Sequence, residues 1–167
     1  SFAYKAVMRE DFAAWAKELA AQSDFSFDLE TTSLSLHEAK IVGVSFCWSD
    51  EGAWYVPLGH SEGEDQVSWH EFSKVVGPIF ANPKVAKCGQ NIKYDQHVLA
   101  NHGVRLAGIA HDTLLQSYVL EAHRPHSLES LAERHLRRKG LSYEDVCGKG
   151  ANQIAFSQVE VTRATEY

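Results

Sequence analysis

Six residues, Phe25-Ser26-Phe27-Asp28-Leu29-Glu30, constrain this chain more than any other stretch. Successive side chains on a β-strand point to opposite faces, so Phe25, Phe27 and Leu29 form one face and Ser26, Asp28 and Glu30 the other. The apolar face needs a core to bury it, and the segment is too hydrophobic to lie as an exposed sheet edge. The strand belongs inside a sheet, with two carboxylates roughly 6.5–7 Å apart at Cα on its polar side. Two readings of that side stand. Either the acids are solvated on an open face, or they are partly buried, where mutual repulsion and lost hydration call for a counter-charge. Hard divalent cations meet that need, and magnesium typically uses one or two protein carboxylates together with phosphate and water.

The segments IVGVSFCW (41–48) and AWYVPL (53–58) are also rich in β-branched and aromatic residues, so three strands follow one another as an antiparallel meander. Ahead of them, Phe12, Trp15, Ala16, Leu19 and Ala20 recur at helical spacing within residues 10–22. Behind them the pattern predicts a helix in WHEFSKVVGPIF (69–80), a short strand in KVAKC (84–88), and helices in NIKYDQHVLANH (91–102) and DTLLQSYVLEAH (112–123). Asp112 is the expected cap of the last of these. A further helix in SLESLAERHLRRKG (127–140) ends on arginines, lysine and glycine, the chemistry of a helix C-terminus. Two capping boxes, Ser142 with Asp145 and Ser157 with Glu160, mark two more helix starts; the second begins a helix at about Gln158 and carries it to Tyr167. This order is that of a mixed α/β sheet with helices on its faces. No repeat or Pro/Gly linker interrupts the 167 residues, and residues 1–167 are expected to be a single domain.

The three cysteines, Cys47, Cys88 and Cys147, fit neither a disulfide framework nor a zinc site and suit a reducing cytoplasm. The nine histidines show no HExxH or paired spacing. No apolar run approaches the ~18 residues of a membrane span, and the opening residues lack a signal-peptide pattern. The net charge of −6 argues by itself against a polyanionic partner, but it is unevenly spread. Residues 1–71 carry 4 basic and 13 acidic side chains, whereas residues 72–149 carry 11 and 7. Within that basic middle, Arg134, Arg137, Arg138 and Lys139 read either as a solvated helix end or as a contact to nucleic acid.

A second element, Gly89-Gln90-Asn91-Ile92-Lys93-Tyr94-Asp95, runs from the short strand into a helix, with Asp95 in the first turn, where a helix dipole alone would favour an acid. Taken together, FDLETTSL and GQNIKYDQHVLANHG resemble the first two exonuclease motifs of the 3′→5′ proofreading domain of bacterial DNA polymerase I, the family A polymerases. HDTLLQSYVL, SLAERHL, YEDVCGKGANQIAF and the final tyrosine follow in that domain's order, so the resemblance covers almost the whole chain.

The resemblance implies a ribonuclease H-like α/β fold and hydrolysis of the 3′-terminal phosphodiester of single-stranded DNA, releasing nucleoside 5′-monophosphates with two divalent cations, Mg2+ or else Mn2+ or Zn2+. It makes Asp28, Glu30 and Asp95 the metal ligands and Tyr167 the residue that orients the attacking water. It makes Thr31 and Leu34 contacts to the terminal nucleotide, Leu34 as an apolar wedge between bases, and Gln90, Asn91 and Tyr94 polar contacts to the strand. Tyr143 becomes a base-stacking aromatic, and Arg124 a strand-contacting arginine in a loop one residue shorter than the family's. The family has a fourth carboxylate four residues beyond the tyrosine. The 167 residues stop before it, so the expectation is a chain cut inside its last helix, of weakened activity, with a polymerase domain to follow in a cytoplasmic, nucleoid-associated parent. Two alternatives remain: an RNA-trimming exonuclease of the same superfamily, or an inactive DNA-binding or structural module of a polymerase. The presence of Asp28, Glu30 and Asp95 weighs against the second.

Overall fold

The computed structural model describes residues 2–63 and 65–167. The polypeptide begins with strand β1 (Ala3–Ala6) and helix α1 (Arg9–Ala20), then runs through β2 (Asp24–Thr31), β3 (Ile41–Ser49) and β4 (Gly52–Pro57). Helix α2 (Trp69–Ala81), β5 (Ala86–Gly89), α3 (Ile92–Asn101), β6 (Ile109–Asp112) and α4 (Thr113–Glu121) follow, and then the short helices α5 (Leu128–Leu131), α6 (Tyr143–Cys147) and α7 (Val161–Glu166). The strands form one six-stranded sheet in the order β1-β4-β3-β2-β5-β6. The expected meander is present, with β2 antiparallel to β3 and β3 antiparallel to β4. β5 and β6 add in parallel beyond β2, and β1 adds in parallel beyond β4.

β2 lies inside the sheet, and its alternation is as the sequence requires: Phe25, Phe27 and Leu29 are buried, Ser26, Asp28 and Glu30 intermediate. Its apolar face joins Phe46 of β3 with Phe12 and Trp15 of α1 and Phe72 and Phe80 of α2. Register puts Phe27 opposite Phe46, and Phe46 opposite Trp54, which continues that face across three strands. On the opposite face a smaller cluster of Tyr55, Val146, Cys147, Phe156, Val159 and Ala164 ties α6 and α7 to the sheet. The carboxylates of β2 lie on this second side.

Helix starts follow local chemistry. Ser68 accepts the Glu71 N–H at the head of α2, and Ser142 and Asp145 form the expected reciprocal box at α6. Asp112 accepts the Leu114 and Leu115 N–H groups at the start of α4, as expected, and also those of Asn91 and Ile92 at the start of α3. Two expectations are corrected. The box at Ser157 and Glu160 does not form: Phe156–Gln158 is a 3₁₀ turn in which the Gln158 side chain accepts the Ala155 N–H, and α7 begins only at Val161. The helix over 127–140 is α-helical only to Leu131, passes into a π-helical turn over Ala132–Leu136, and stops at Arg137. Arg137 adopts the left-handed φ of 53° that glycine usually supplies, and the Arg138 N–H reaches back to the Ala132 carbonyl, so the chain turns three residues before Gly140. Finally, β1 and β6 go unread in the sequence, since each is a four-residue edge strand too short and too exposed to show a period.

Candidate active site

β5 pairs with β2 only as far as Ser26, opposite Cys88, and the chain leaves the sheet at Gly89. Beyond that point the β5 side of β2 lacks a partner strand. Asn91 takes a left-handed φ of 54°, Asp112 holds the Asn91 and Ile92 N–H groups at 3.1 Å, and α3 is thereby aimed into the gap. Its first turn delivers Asp95, 1% exposed, whose Oδ1 accepts the Leu29 N–H at 3.3 Å. A carboxylate from α3 thus replaces a strand partner between Asp28 and Glu30, at the carboxyl ends of the parallel strands β2, β5 and β6, where open α/β sheets form their crevices.

The electrostatics follow from this burial. Desolvation lifts Asp28 from 3.8 to about 6. Glu30 is pushed up to about 8, first by desolvation and then by the charges of Asp28 and Asp95. Asp95 is also pushed up to about 8, by desolvation and then by Asp28, against the lowering effect of the Leu29 N–H. The three acids therefore sit within electrostatic reach of one another, and Asp95 Oδ2 is buried without a hydrogen-bond partner. Among the described residues no three His, Cys, Asp or Glu side chains are drawn tightly enough around a point to hold an ion as they stand. The donor chemistry nonetheless suits a divalent cation: hard oxygens, an orphaned buried carboxylate oxygen, and repulsion that positive charge would relieve.

Tyr167 follows α7 directly and lines a cavity of about 350 Å3 together with Asp28, Glu30, Ser45 and Tyr55. Burial raises its phenol pKa, and the charges of Glu30 and Asp28 add to the rise. Tyr143, at the head of α6, is 43% exposed; burial is the main cause of its raised pKa, and Glu30's charge is a smaller one.

The remaining expected contacts fall into two groups. Thr31 Oγ1, Tyr94 Oη and the Ser33 carbonyl form a triangle with edges of 2.8, 2.9 and 3.0 Å, and next to it Leu34 projects with 91% of its surface exposed. Gln90, by contrast, is engaged inside the fold: its amide donates to the His126 carbonyl and its Oε1 accepts from Thr113. Asn91 is exposed at the turn into α3. Arg124 lies past α4, paired with Glu121 at 3.3 Å, and is not among the residues lining the carboxylate cavity.

Sequence reasoning missed Tyr55 and His60. Strand register places Tyr55 opposite Ser45, itself opposite Asp28, and Tyr55 leans over Gly43, the partner of Glu30, where any β-carbon would overlap its hydroxyl. The signal was available for Tyr55, since alternation in AWYVPL sets it against the face of Val56. His60 had none, because its partners are remote in sequence.

A family model described as 3′-5′ exonuclease matches residues 6–167. DNA polymerase I of Pseudomonas aeruginosa is 40% identical over 161 residues, which cover 93% of this chain and 18% of that protein. The chain therefore spans less than a fifth of the length of this relative. Among solved structures, the POL domain of Pol1 from M. smegmatis in complex with DNA primer-template and dNTP gives a TM-score of 0.65 at 24% identity, covering 82% of this chain and 23% of that one. Brucella melitensis NrnC with bound Mg2+ gives 0.59 at 16% identity, covering 73% and 57%. These two likenesses are of fold, and the fold is the ribonuclease H-like α/β architecture. With the family model matching nearly end to end, the chain belongs to the 3′–5′ exonuclease family, as the exonuclease portion found in DNA polymerase I.

Proposed function

We propose that residues 1–167 form one domain that removes nucleotides from the 3′ end of single-stranded DNA as the proofreading exonuclease of a DNA polymerase I, with the polymerase region following it in the parent polypeptide. The observation that carries this reading is the meeting of Asp28, Glu30 and Asp95 at the carboxyl end of β2, each with its pKa raised. In this reading the three carboxylates hold divalent cations, with magnesium the ion that suits an all-oxygen set. Bound cations supply charge neutralisation and polarise the scissile phosphate and the attacking water.

The chain's own residues do the rest. Strand geometry sets Asp28 and Glu30 on one face, and Asp95 Oδ1 accepts the Leu29 N–H, so the fold brings the three acids to one place before substrate arrives. Tyr167 stays protonated, its pKa raised by burial and by the nearby acids, so its hydroxyl orients a water by hydrogen bonding without adding charge. Leu34 presents an apolar edge to the terminal base, Tyr143 offers a stacking surface, and Thr31, Asn91 and Tyr94 border the strand's path. Gln90 acts more as a brace for the α4 end than as a free contact, given its internal bonds. The acidic segment 1–71 then suits an anionic substrate, because cations held there would reverse the local sign.

The test uses the polypeptide that carries these residues with 5′-labelled single-stranded DNA and, in parallel, RNA. The expected result is stepwise shortening from the 3′ end in Mg2+ or Mn2+, none in EDTA, and a loss of at least about a hundredfold in Asp28→Ala. Full activity in Asp28→Ala would reject the site, and faster trimming of RNA would favour the RNA-trimming alternative.

A further inference from the structure

His60 lies outside every motif, yet it is 7% exposed and both of its ring nitrogens are engaged. Nδ1 is 2.8 Å from the Val159 carbonyl, and Nε2 is 2.6 Å from the Tyr55 hydroxyl. A carbonyl only accepts, so Nδ1–H donates to Val159; in the neutral ring Nε2 is then bare, and Tyr55 O–H donates to it. Burial lowers the His60 pKa, in keeping with a neutral ring.

The two partners of this ring belong to different parts of the site. Tyr55, 3% exposed, stands in register with Ser45 and Asp28 and leans over Gly43 beside Glu30. Val159 ends the segment that leads into α7 and Tyr167. That segment is further bound to the His60 loop by the Ser61 N–H, which donates to the Ser157 carbonyl at 2.7 Å. The rings continue the link: His60 lies 5.9 Å from Phe156, and Phe156 lies 5.7 Å from Tyr167. His60 is itself held by its backbone, because Gln66 accepts from the His60 N–H and donates to the carbonyls of His60 and Gly63.

We propose that His60 is a positioning residue: by joining Tyr55 on the sheet to the Phe156–Val159 segment, it sets where Tyr167 stands relative to Asp28 and Glu30. This rests on the exonuclease reading for its consequence in catalysis, but the geometry it concerns is a property of the protein alone.

The experiment has two arms. Amide exchange is followed in the protein without added metal, comparing wild type with His60→Phe, which keeps an aromatic ring and removes both hydrogen bonds. The amides of Ala164 and Tyr167, which donate to Glu160 and Arg163, are expected to exchange about five- to tenfold faster, while Phe27 and Leu29 keep their protection. Equal acceleration everywhere, or none, overturns the proposal. In the second arm kcat and KM are measured with single-stranded DNA for His60→Phe, Tyr167→Phe and the double variant. His60→Phe is expected to lower kcat by about 10- to 100-fold with KM little changed, and to have no further effect once the Tyr167 hydroxyl is removed. Losses that multiply in the double variant would show that His60 acts only through general stability, and would overturn the proposal. His60→Gln, whose amide donates and accepts, is expected to recover part of the loss. If His60→Phe does not fold, Tyr55→Phe breaks the first bond alone and carries the same expectations. A wild type without 3′-end activity would count against the exonuclease reading only, because the exchange arm still decides the role of His60.

Discussion

Replacing Asp95 by asparagine tests the energetics of the site directly. The carboxyl has an ordinary pKa of 3.8 and one of about 8 in the folded protein, raised by desolvation and then by Asp28. Below pH 3.8 it is protonated whether the chain is folded or not, and it contributes no pH dependence. Between 3.8 and 8 the folded state keeps a proton that the unfolded chain releases, so stability falls as pH rises, by up to about 1.4 kcal/mol per pH unit. At pH 7 this amounts to about 4 kcal/mol. The amide introduced by Asp95→Asn keeps the acceptor for the Leu29 N–H and never ionises, but it brings one more buried N–H than a protonated carboxyl, at about 1–3 kcal/mol if unpaired. In EDTA, urea unfolding is therefore expected to show Asp95→Asn equal to or less stable than wild type near pH 5, and more stable by about 1–3 kcal/mol at pH 7, with the gap widening to pH 8. Saturating Mg2+ should stabilise the wild type selectively and narrow the gap. A difference that does not change with pH would refute the argument that Asp95 is held in the fold at the expense of its charge.

Leu34→Ala removes a side chain that is 91% exposed, so stability should change by no more than about 0.5 kcal/mol in urea unfolding, while KM for single-stranded DNA rises. Tyr94→Phe takes the hydroxyl from the triangle with Thr31 and Ser33; a loss of about 1 kcal/mol in stability and a rise in proteolytic cleavage within residues 32–38 are expected.

Residues 25–30 disclosed the inner strand, its buried face and two of the acids, because a period of two is written in those residues alone. Asp95 was visible in the sequence only through the motif around it; periodicity left it an ordinary first-turn acid. What makes it a site residue is the early end of β5, which frees the Leu29 N–H, and strand length is a property of pairing rather than of any local pattern. The same holds for Asp112, read as the cap of one helix and found capping two, and for His60, whose partners come from β4 and from Val159, 99 positions away. The misplaced start of α7 has a different cause: Ser157-x-x-Glu160 is a good local box, but the Ser157 carbonyl is taken by the Ser61 N–H, and Gln158 caps the turn before it. A tertiary bond overrode a propensity worth about 1 kcal/mol.

The strand that gathers the acids also explains how the fold tolerates them. Phe25 and Phe27, on its other face, meet Phe80 edge-on with ring centroids 6.0 and 4.9 Å apart, and Phe25 meets Phe46 at 5.6 Å. Such pairs contribute about 0.5–1.5 kcal/mol each beyond the area they bury, so three of them are of the size of the cost carried by Asp95 alone. Because every residue of β2 belongs to one face or the other, the packing that offsets the acids also fixes the backbone positions from which they project. Moving the backbone of Asp28 away from Glu30 would require shifting Phe27 or Leu29 out of a close-packed core. The cost is consequently retained in the folded protein, as protons held on Glu30 and Asp95 well above the ordinary carboxyl range that a cation would displace, and the side chain left to be placed is Tyr167, which comes from the α6–α7 layer on the acids' side of the sheet and depends on contacts that the sheet alone does not supply.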